Sequence, residues 1–157
     1  ETNRQAVENW WSLNRMLEGT PNLVPAFKCD DRPSNGYSYV LRVDREYAAV
    51  RKVGLSDMTN GIVKALAAEG VKQSRANWLL PAHSVFQAKD AYGKGYPWSA
   101  EHTRPDISYD VSQFPVAQDC VDTCLWNVYN HRPPNGQEQL EALAGGIVYR
   151  TVHRGTP

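Results

Sequence analysis

Two of the four histidines stand where a loop could present a side chain to a ligand. His83 belongs to the run WLLPAHSVF and His131 to the run YNHRPPN, each after a strand-like segment and close to proline. Loops of this kind often carry binding residues, and imidazole changes its charge near neutral pH. A loop histidine can equally be structural or solvated. We therefore predict His83 and His131 as substrate-binding residues and keep the structural interpretation open.

Arginine and aromatic side chains supply further candidates for ligand contact. The guanidinium groups of Arg104 and Arg132 match the geometry of phosphate and carboxylate, although a solvated surface arginine has the same sequence pattern. Tyr96 and Trp98 lie with Tyr92 in an aromatic tract and could line a pocket or serve as packing anchors. The prediction assigns substrate binding to Arg132, Tyr92 and Trp98, and it assigns a catalytic role to no residue.

Motifs for nucleotide and hydrolase chemistry are missing from the sequence. Its paired glycines, at 93 and 95 and at 145 and 146, do not stand in a strand-to-helix turn as dinucleotide-binding glycines do. No phosphate loop ends in Lys and Ser or Thr, and no serine has a nucleophile-elbow setting. A free-standing hydrolase that uses His83 or His131 therefore has little support in the sequence.

The cysteines do not indicate a metal site. Cys120 and Cys124 are four positions apart, and no Cys or His pair with zinc-module spacing accompanies them. We expect both thiols on the buried face of one helix, where cysteine behaves as a small apolar residue. With Cys29 the set is odd, which fits a reducing compartment better than secretion. The prediction is no metal ligand and a cytoplasmic protein.

Length and charge limit the possible partners. A chain of 157 residues, 41% of them apolar, suffices for one domain with its own core. Its 17 basic and 17 acidic residues balance, so no basic surface for nucleic acid or anionic membrane is indicated. No run approaches the roughly 18 to 20 apolar residues of a membrane span, and no signal-like segment follows Glu1. We expect a soluble protein with neither nucleic acid nor membrane as partner.

Apolar periodicity predicts helices and strands that alternate around one small sheet. Helices are predicted over 5–18, from Ser56 to 69, from Pro115 to 124, and from a capping-box-like pair, Asn135 and Glu138, to 147. Extended segments are predicted over 22–25, 37–44, 71–80 and 125–129, with a long loop over 81–114. The strand over 37–44 is expected to bury Tyr37, Tyr39, Leu41 and Val43 on one face. These elements predict an α/β (α+β) two-layer sandwich, a small, mostly antiparallel sheet with helices packed on it.

Several segments, taken in order, resemble the C-terminal small domain of the DegT/DnrJ/StrS family of pyridoxal-phosphate (PLP) dependent aminotransferases. They are ENWWSLNRMLEGTPNLVPAF, YSYVLRVD, KALAAEGV, WLLPAHSVFQ, FPVAQDCVDTCLWN and EQLEALAGGI. Each motif is short, but together they span residues 8–147. The resemblance implies an aminotransferase-like small domain over 1–147. Residues 148–157 depart from the family pattern and are expected to form a divergent, strand-like tail.

The resemblance also implies a cofactor and a reaction that this chain cannot complete alone. Members of the family hold PLP as a Schiff base on a lysine of a large domain, act as homodimers, and carry an amino group from glutamate or glutamine to a keto sugar, a cyclitol or a related antibiotic precursor. His83 matches the small-domain histidine that reaches toward the substrate. No lysine here matches the Schiff-base context, neither Lys28, Lys52, Lys64, Lys72, Lys89 nor Lys94. Transamination by the isolated chain is therefore expected to fail.

The sequence thus predicts the small-domain portion of a PLP-dependent aminotransferase, with no cofactor held by the chain alone. Its expected partners are the large domain or a second copy of the chain, and a small keto sugar or cyclitol. Whether the chain is an enzyme by itself stays open. The alternative is a non-catalytic binding or interaction module derived from such a domain, which would use the face that a large domain normally covers.

Overall fold

The computed structural model describes residues 2–25, 32, 34–71, 73–75, 79–127 and 130–153. The chain divides into a first unit, Glu1–Ala76 with Asp122–Pro157, and a second unit, Asn77–Val121, each of which is compact. Predictions that involve Lys28, Cys29, Lys72, Trp78 or Tyr129 fall outside the described residues.

The first unit contains an antiparallel sheet built from short strands. In chain order these are β1 (Leu23–Val24), β2 (Tyr39–Val43), β3 (Ser74–Arg75) and β4 (Cys124–Asn127). The order across the sheet is β1-β2-β4-β3, and each neighbouring pair is antiparallel. The longest pairing joins β2 to β4 and places Leu41 opposite Leu125. These two strands therefore form the centre of the sheet.

Helices of the first unit pack on this sheet. In chain order the helices are α1 (Thr2–Leu17), α2 (Arg45–Val50), α3 (Leu55–Ala68), α4 (Ser84–Ala88), α5 (Pro115–Thr123) and α6 (Gln137–His153). Helix α6 packs against α1 and α3, and α3 contacts β2, β3 and β4. Helices on a small antiparallel sheet confirm the predicted fold class.

One buried apolar cluster joins the sheet to the helices of the first unit. It includes Leu13 and Leu17 of α1, Leu41 of β2, Leu125 of β4 and Ile147 of α6, each at most 1% exposed. Complete burial of one such side chain contributes about 1.5–3 kcal/mol, so this cluster is the main source of the unit's stability. The helical spacing of the leucines in α1 predicted this buried face.

The buried face of β2 begins later than the sequence alternation predicts. Tyr39, Leu41 and Val43 are buried as expected, whereas Tyr37 is 59% exposed and precedes the strand. Asn35 Oδ1 accepts a hydrogen bond from Tyr37 N at 2.9 Å, and this local turn keeps the ring out of the sheet. The prediction was wrong for Tyr37.

Two helix starts differ from the sequence prediction. Helix α3 begins directly after Gly54, and Ser56, the predicted N-cap, instead accepts a hydrogen bond from Arg75 Nη1 at 3.0 Å. The short helix α2 was not predicted, although Asp44 caps it by accepting a hydrogen bond from Glu46 N at 2.8 Å.

The cap of α6 also lies one residue beyond the predicted pair. Gly136 N donates to Gln139 Oε1 at 2.9 Å, as in a capping box, in place of Asn135 and Glu138. The amide of Asn135 donates instead to the carbonyl oxygen of Asn130 at 3.0 Å. Asn135 therefore orders the loop before the helix and not the helix itself.

Residues 148–153 are helical and not strand-like. Val148 packs against the apolar cluster and Thr151 is 3% exposed, so both extend the buried face of α6 at helical spacing. Asn22 Nδ2 donates to the carbonyl oxygen of Thr151 at 2.8 Å and ties this turn to the start of β1. The prediction of a strand was wrong here, and its remaining part, 154–157, falls outside the described residues.

The two thiols of α5 and β4 do not share a helix face. Pro115 is the first residue of α5, as predicted, but the helix ends at Thr123. Cys124 is buried in β4, where it pairs with Arg42, whereas Cys120 is exposed on the helix. The expected buried stripe was wrong for Cys120, because strand pairing ends the helix before Cys124 can extend it.

The described part of the second unit has little regular structure, as the predicted long loop implies. It contains α4, 3₁₀ turns at Leu80–Ala82 and Val111–Gln113, and the first part of α5. The extended segment predicted over 71–80 was wrong at Leu80, where the first of these turns begins. None of the helices described in either unit is long and apolar enough to cross a membrane.

Candidate ligand pocket

A pocket of about 400 Å³ lies in the first unit, beside the start of α1. We call it the Arg132 pocket; it is lined by Asn3, Ala6, Asn35, Gly36, Tyr37, Arg132 and Pro133. Three parts of the chain meet there, namely α1, the turn before β2 and the loop before α6. Arg132 is the one charged side chain among the described residues of this lining. The pocket is therefore suited to a small ligand that carries negative charge.

Gly36 allows the turn before β2 to touch α1. Its φ angle is +66°, and a Cβ atom there would lie 2.9 Å from Ala6 C and 2.9 Å from Val7 N. Those neighbours are backbone atoms of a helix and cannot rotate away. Only glycine fits this conformation and this close approach together.

His131 lies behind the pocket and supports it. The side chain is 0% exposed, and its Nε2 atom is 2.8 Å from the carbonyl oxygen of Gly36. Because a carbonyl only accepts, Nε2 carries the hydrogen, and Nδ1 is buried without a hydrogen-bond partner among the described residues. Burial lowers the pKa of His131; the bond to Gly36 opposes this shift and the charge of Arg132 adds to it. The imidazole is therefore neutral near neutral pH.

Arg132 is held against the wall of the pocket. Its Nη2 group donates to the carbonyl oxygen of Tyr37 at 2.7 Å, and the guanidinium carbon lies 4.6 Å from the centre of the Tyr37 ring. This stacking is a cation–π contact. Of the three guanidinium nitrogens of Arg132, only Nη2 donates to an acceptor in the described part of the chain. Nε of Arg132 is buried and has no partner there.

Asn9 fixes the loop that carries Arg132, and the sequence analysis missed it. Asn9 is 4% exposed, and its Nδ2 group donates to the carbonyl oxygens of His131 and Asn135 at 2.9 Å each. Its Oδ1 atom accepts from Gln5 Nε2 at 2.9 Å. The available signal was a polar residue within the apolar stripe of α1. A polar side chain at such a position is expected to be buried, and a buried polar side chain needs hydrogen-bond partners.

We expect His131→Gln to remove part of the pH dependence of stability. Unfolded His131 has the ordinary pKa of 6.5, and burial lowers the pKa of the folded side chain. Between these two pKa values the unfolded state holds a proton that the folded state lacks, so stability falls as the pH is lowered through this window. Above this window both states are neutral and the contribution is constant. Gln can still donate to Gly36 but does not titrate. Urea unfolding at several pH values measures the difference between the two slopes.

The matched control is His102→Gln, which removes an exposed histidine. The comparison separates the burial of His131 from the loss of a histidine as such. The slope due to His131 stays below the one-proton limit of about 1.4 kcal/mol per pH unit. If His131→Gln keeps the wild-type slope, the buried neutral imidazole does not contribute to the pH dependence of stability.

An aromatic pocket of about 500 Å³ lies in the second unit. Tyr92 and Trp98 both line it, together with Val85, Phe86, Ala91, Pro97, Thr103, Ile107 and Tyr109. Trp98 Nε1 donates to the Tyr109 hydroxyl at 2.9 Å, and the rings of Phe86, Trp98 and Tyr109 lie 5.1–6.1 Å apart. Trp98 is thus a packing anchor as well as a lining residue. Tyr92 is 83% exposed and contacts Tyr96.

His83 lies at the junction between the first 3₁₀ turn and α4. Its side chain is exposed and lies outside the lining of the aromatic pocket. Its carbonyl oxygen accepts from Phe86 N at 2.9 Å and Gln87 N at 3.0 Å. The predicted site residues therefore fall into two groups, with His83, Tyr92 and Trp98 in the second unit, and His131 and Arg132 in the first.

The described lysines do not fit a PLP Schiff base. Lys52, Lys64, Lys89 and Lys94 are all exposed, and Lys89 Nζ donates to the carbonyl oxygen of Ile107 at 2.7 Å. A lysine that forms a Schiff base with PLP needs a lowered pKa and a fixed orientation. A pocket that excludes water provides both. Among the residues described, no group of three His, Cys, Asp or Glu side chains is placed to hold a metal ion.

Solved structures of two enzymes share this fold. One is 3-amino-5-hydroxybenzoic acid synthase, with a TM-score of 0.68 and 19% identity over 96% of this chain and 34% of that chain. The other is PseC of Helicobacter pylori, an aminotransferase involved in the biosynthesis of pseudoaminic acid, with a TM-score of 0.59 and 12% identity over 92% of this chain and 31% of its own. The chain thus spans about a third of the length of each. No family model and no curated protein matches the sequence.

Proposed function

We propose that this chain is the small-domain portion of a PLP-dependent aminotransferase that acts on a keto sugar, a cyclitol or a related precursor. The supporting observation is the fold likeness, which covers 96% of this chain but only 34% of 3-amino-5-hydroxybenzoic acid synthase. One of these two similar enzymes is an aminotransferase. The family resemblance of segments within 8–147 points in the same direction.

In this proposal the chain shapes the substrate pocket and another domain holds PLP. When bound, PLP would supply an electron sink for negative charge on the substrate carbon. The exposed, described lysines of this chain are not that group. Arg132, Tyr92 and Trp98 line pockets and are proposed as substrate contacts, His83 keeps this role by family analogy, and His131 supports the Arg132 pocket. The proposed partners are the large domain and, in a homodimer, a second copy of the protein.

The test is expression of the whole reading frame that encodes this segment, extended upstream of the codon for Glu1. With PLP, the longer protein is expected to show aldimine absorbance and to aminate keto sugars or cyclitol ketones with glutamate or glutamine as donor. The 157-residue chain alone, treated identically, should show neither. A longer protein without absorbance or turnover would overturn the proposal, and the interaction-module hypothesis would then replace it.

A further inference from the structure

We propose that the Arg132 pocket binds an oxyanion, either a carboxylate or a phosphate, through the guanidinium of Arg132. This inference deepens the proposed function by treating the oxyanion as part of a substrate, and that step rests on the proposed function. The binding itself requires neither PLP nor turnover. All the described residues of the lining belong to the first unit, which is one compact part of the chain.

The charge of the lining favours an anion. Arg132 contributes a full positive charge, and none of the described residues in the lining is acidic. The other polar side chains are the amides of Asn3 and Asn35 and the hydroxyl of Tyr37. Oδ1 of Asn35 is already used by Tyr37 N, so its Nδ2 group is the part of that amide with hydrogens to donate to a ligand. An arginine beside uncharged amides suits the oxygens of an anion.

The geometry of Arg132 supports binding over simple solvation. The bond to the Tyr37 carbonyl and the stacking on its ring already fix the guanidinium, so little conformational freedom is lost when a ligand binds. Nε is buried, and the terminal nitrogens are therefore the groups that a ligand can approach. A planar fork that holds two oxygens is stronger and more selective than a single ammonium.

The support behind the pocket keeps this arginine in place. His131, its neighbour in the chain, is anchored to Gly36, and Asn9 holds the carbonyl oxygen of His131. Both contacts are buried. The neutral state of His131 also avoids a second positive charge beside Arg132. The loop can therefore present the guanidinium without rearranging when an anion arrives.

The size of the pocket indicates more than a bare ion. A volume of about 400 Å³ is within the range of small-molecule sites. The exposed ring of Tyr37 supplies an apolar wall, and the asparagine amides can bond to hydroxyl groups. We therefore expect a compact, hydroxylated molecule with one anionic group to bind better than the anion alone.

The experiment is isothermal titration of the 157-residue chain with four probes, inorganic phosphate, glucose 6-phosphate, glucuronate and uncharged glucose. At least one hydroxylated anion should bind about 10- to 100-fold more tightly than glucose, which is the usual effect of a charge-assisted hydrogen bond. The comparison of glucuronate with glucose 6-phosphate separates carboxylate from phosphate recognition. Affinity should fall as salt is added.

Variants of Arg132 separate ligand binding from a structural role. Arg132→Gln should lose the same 10- to about 100-fold in anion affinity, and Arg132→Lys, which keeps the charge but not the fork, should lose less. Arg104→Gln is the matched control, since Arg104 is a surface arginine paired with Asp106 at 3.2 Å and both are more than 70% exposed. Its affinity should equal that of the wild type. Circular dichroism confirms that each variant is folded.

Three results would overturn the inference. The first is that the wild-type protein binds no anion. The second is that glucose binds as tightly as both hydroxylated anions. The third is that the Arg132→Gln protein is folded and keeps its anion affinity. A purely structural Arg132 would change stability and leave the ratio of anion to glucose affinity unaltered. Because none of these measurements uses PLP, failure here leaves the aminotransferase proposal intact, and failure of the aldimine test leaves the binding result intact.

Discussion

Gly36→Ala is expected to lower the free energy of unfolding by about 2–5 kcal/mol and to abolish anion binding at the Arg132 pocket. The substitution forces a side chain into a left-handed conformation, with φ at +66°, which costs about 1–2 kcal/mol. The new Cβ would also lie 2.9 Å from backbone atoms of Ala6 and Val7, so α1 and the turn must separate. That separation costs about 1–3 kcal/mol more and removes the support of Arg132. Urea unfolding and isothermal titration measure the two effects.

Gly70→Ala is the matched control for the backbone term. Gly70 also has a positive φ, +79°, but an added Cβ would meet no atom within 4 Å. Its cost should be the conformational part alone, about 1–2 kcal/mol, with anion affinity unchanged. Equal losses for Gly36→Ala and Gly70→Ala would mean that the close approach to α1 does not constrain the pocket.

Asn9→Ala is expected to destabilise the protein by about 2–6 kcal/mol. The side chain donates to the carbonyl oxygens of His131 and Asn135, and alanine leaves these two acceptors without that donor. Each buried polar group left unpaired costs about 1–3 kcal/mol. Asn9→Asp should be worse still, because a carboxylate in the same place cannot donate and would face two carbonyl oxygens. Denaturant midpoints at constant pH measure both losses.

Asn14→Ala serves as the control on the same helix. Asn14 accepts one hydrogen bond, from the Tyr39 hydroxyl at 3.1 Å, and is only half-buried. Its loss should cost about 0.5–1.5 kcal/mol and leave the Arg132 pocket unaffected. If Asn9→Ala is no more damaging than Asn14→Ala, then Asn9 does not clamp the loop before α6.

The parts of the fold that could be predicted are those with a long periodic signal. Apolar residues at helical spacing indicated α1 and α6, and strict alternation indicated the buried side of β2. Helix α2 gave no such signal, because a helix of six residues has room for less than two turns. The sequence also misplaced the end of α5, since Cys124 fits either a helix stripe or a strand. Pairing with Arg42 across the sheet decides between them.

The candidate site was predictable only in part, because distant residues build it. Arg132 and His131 were chosen for their chemistry, and that choice did not reveal that one lines the pocket and the other supports it. The bonds that separate these roles link His131 to Gly36 across 95 positions and to Asn9 across 122. Periodic sequence patterns relate residues that are only a few helical turns apart. Hydrogen bonds between residues separated by about a hundred positions are therefore seen only in the folded structure.

The order of strands across the sheet affects when the first unit can fold. β4 lies between β2 and β3, yet Ser74 of β3 pairs with Trp126, and the whole second unit is made between them. Pairing across such a long connection must close a loop before it gains contacts, which slows folding. A nascent chain that has reached β3 contains neither β4 nor α6. On the ribosome, the face of α1 that packs on α6 and the edge of β2 that pairs with β4 are therefore expected to stay uncovered until β4 and α6 emerge.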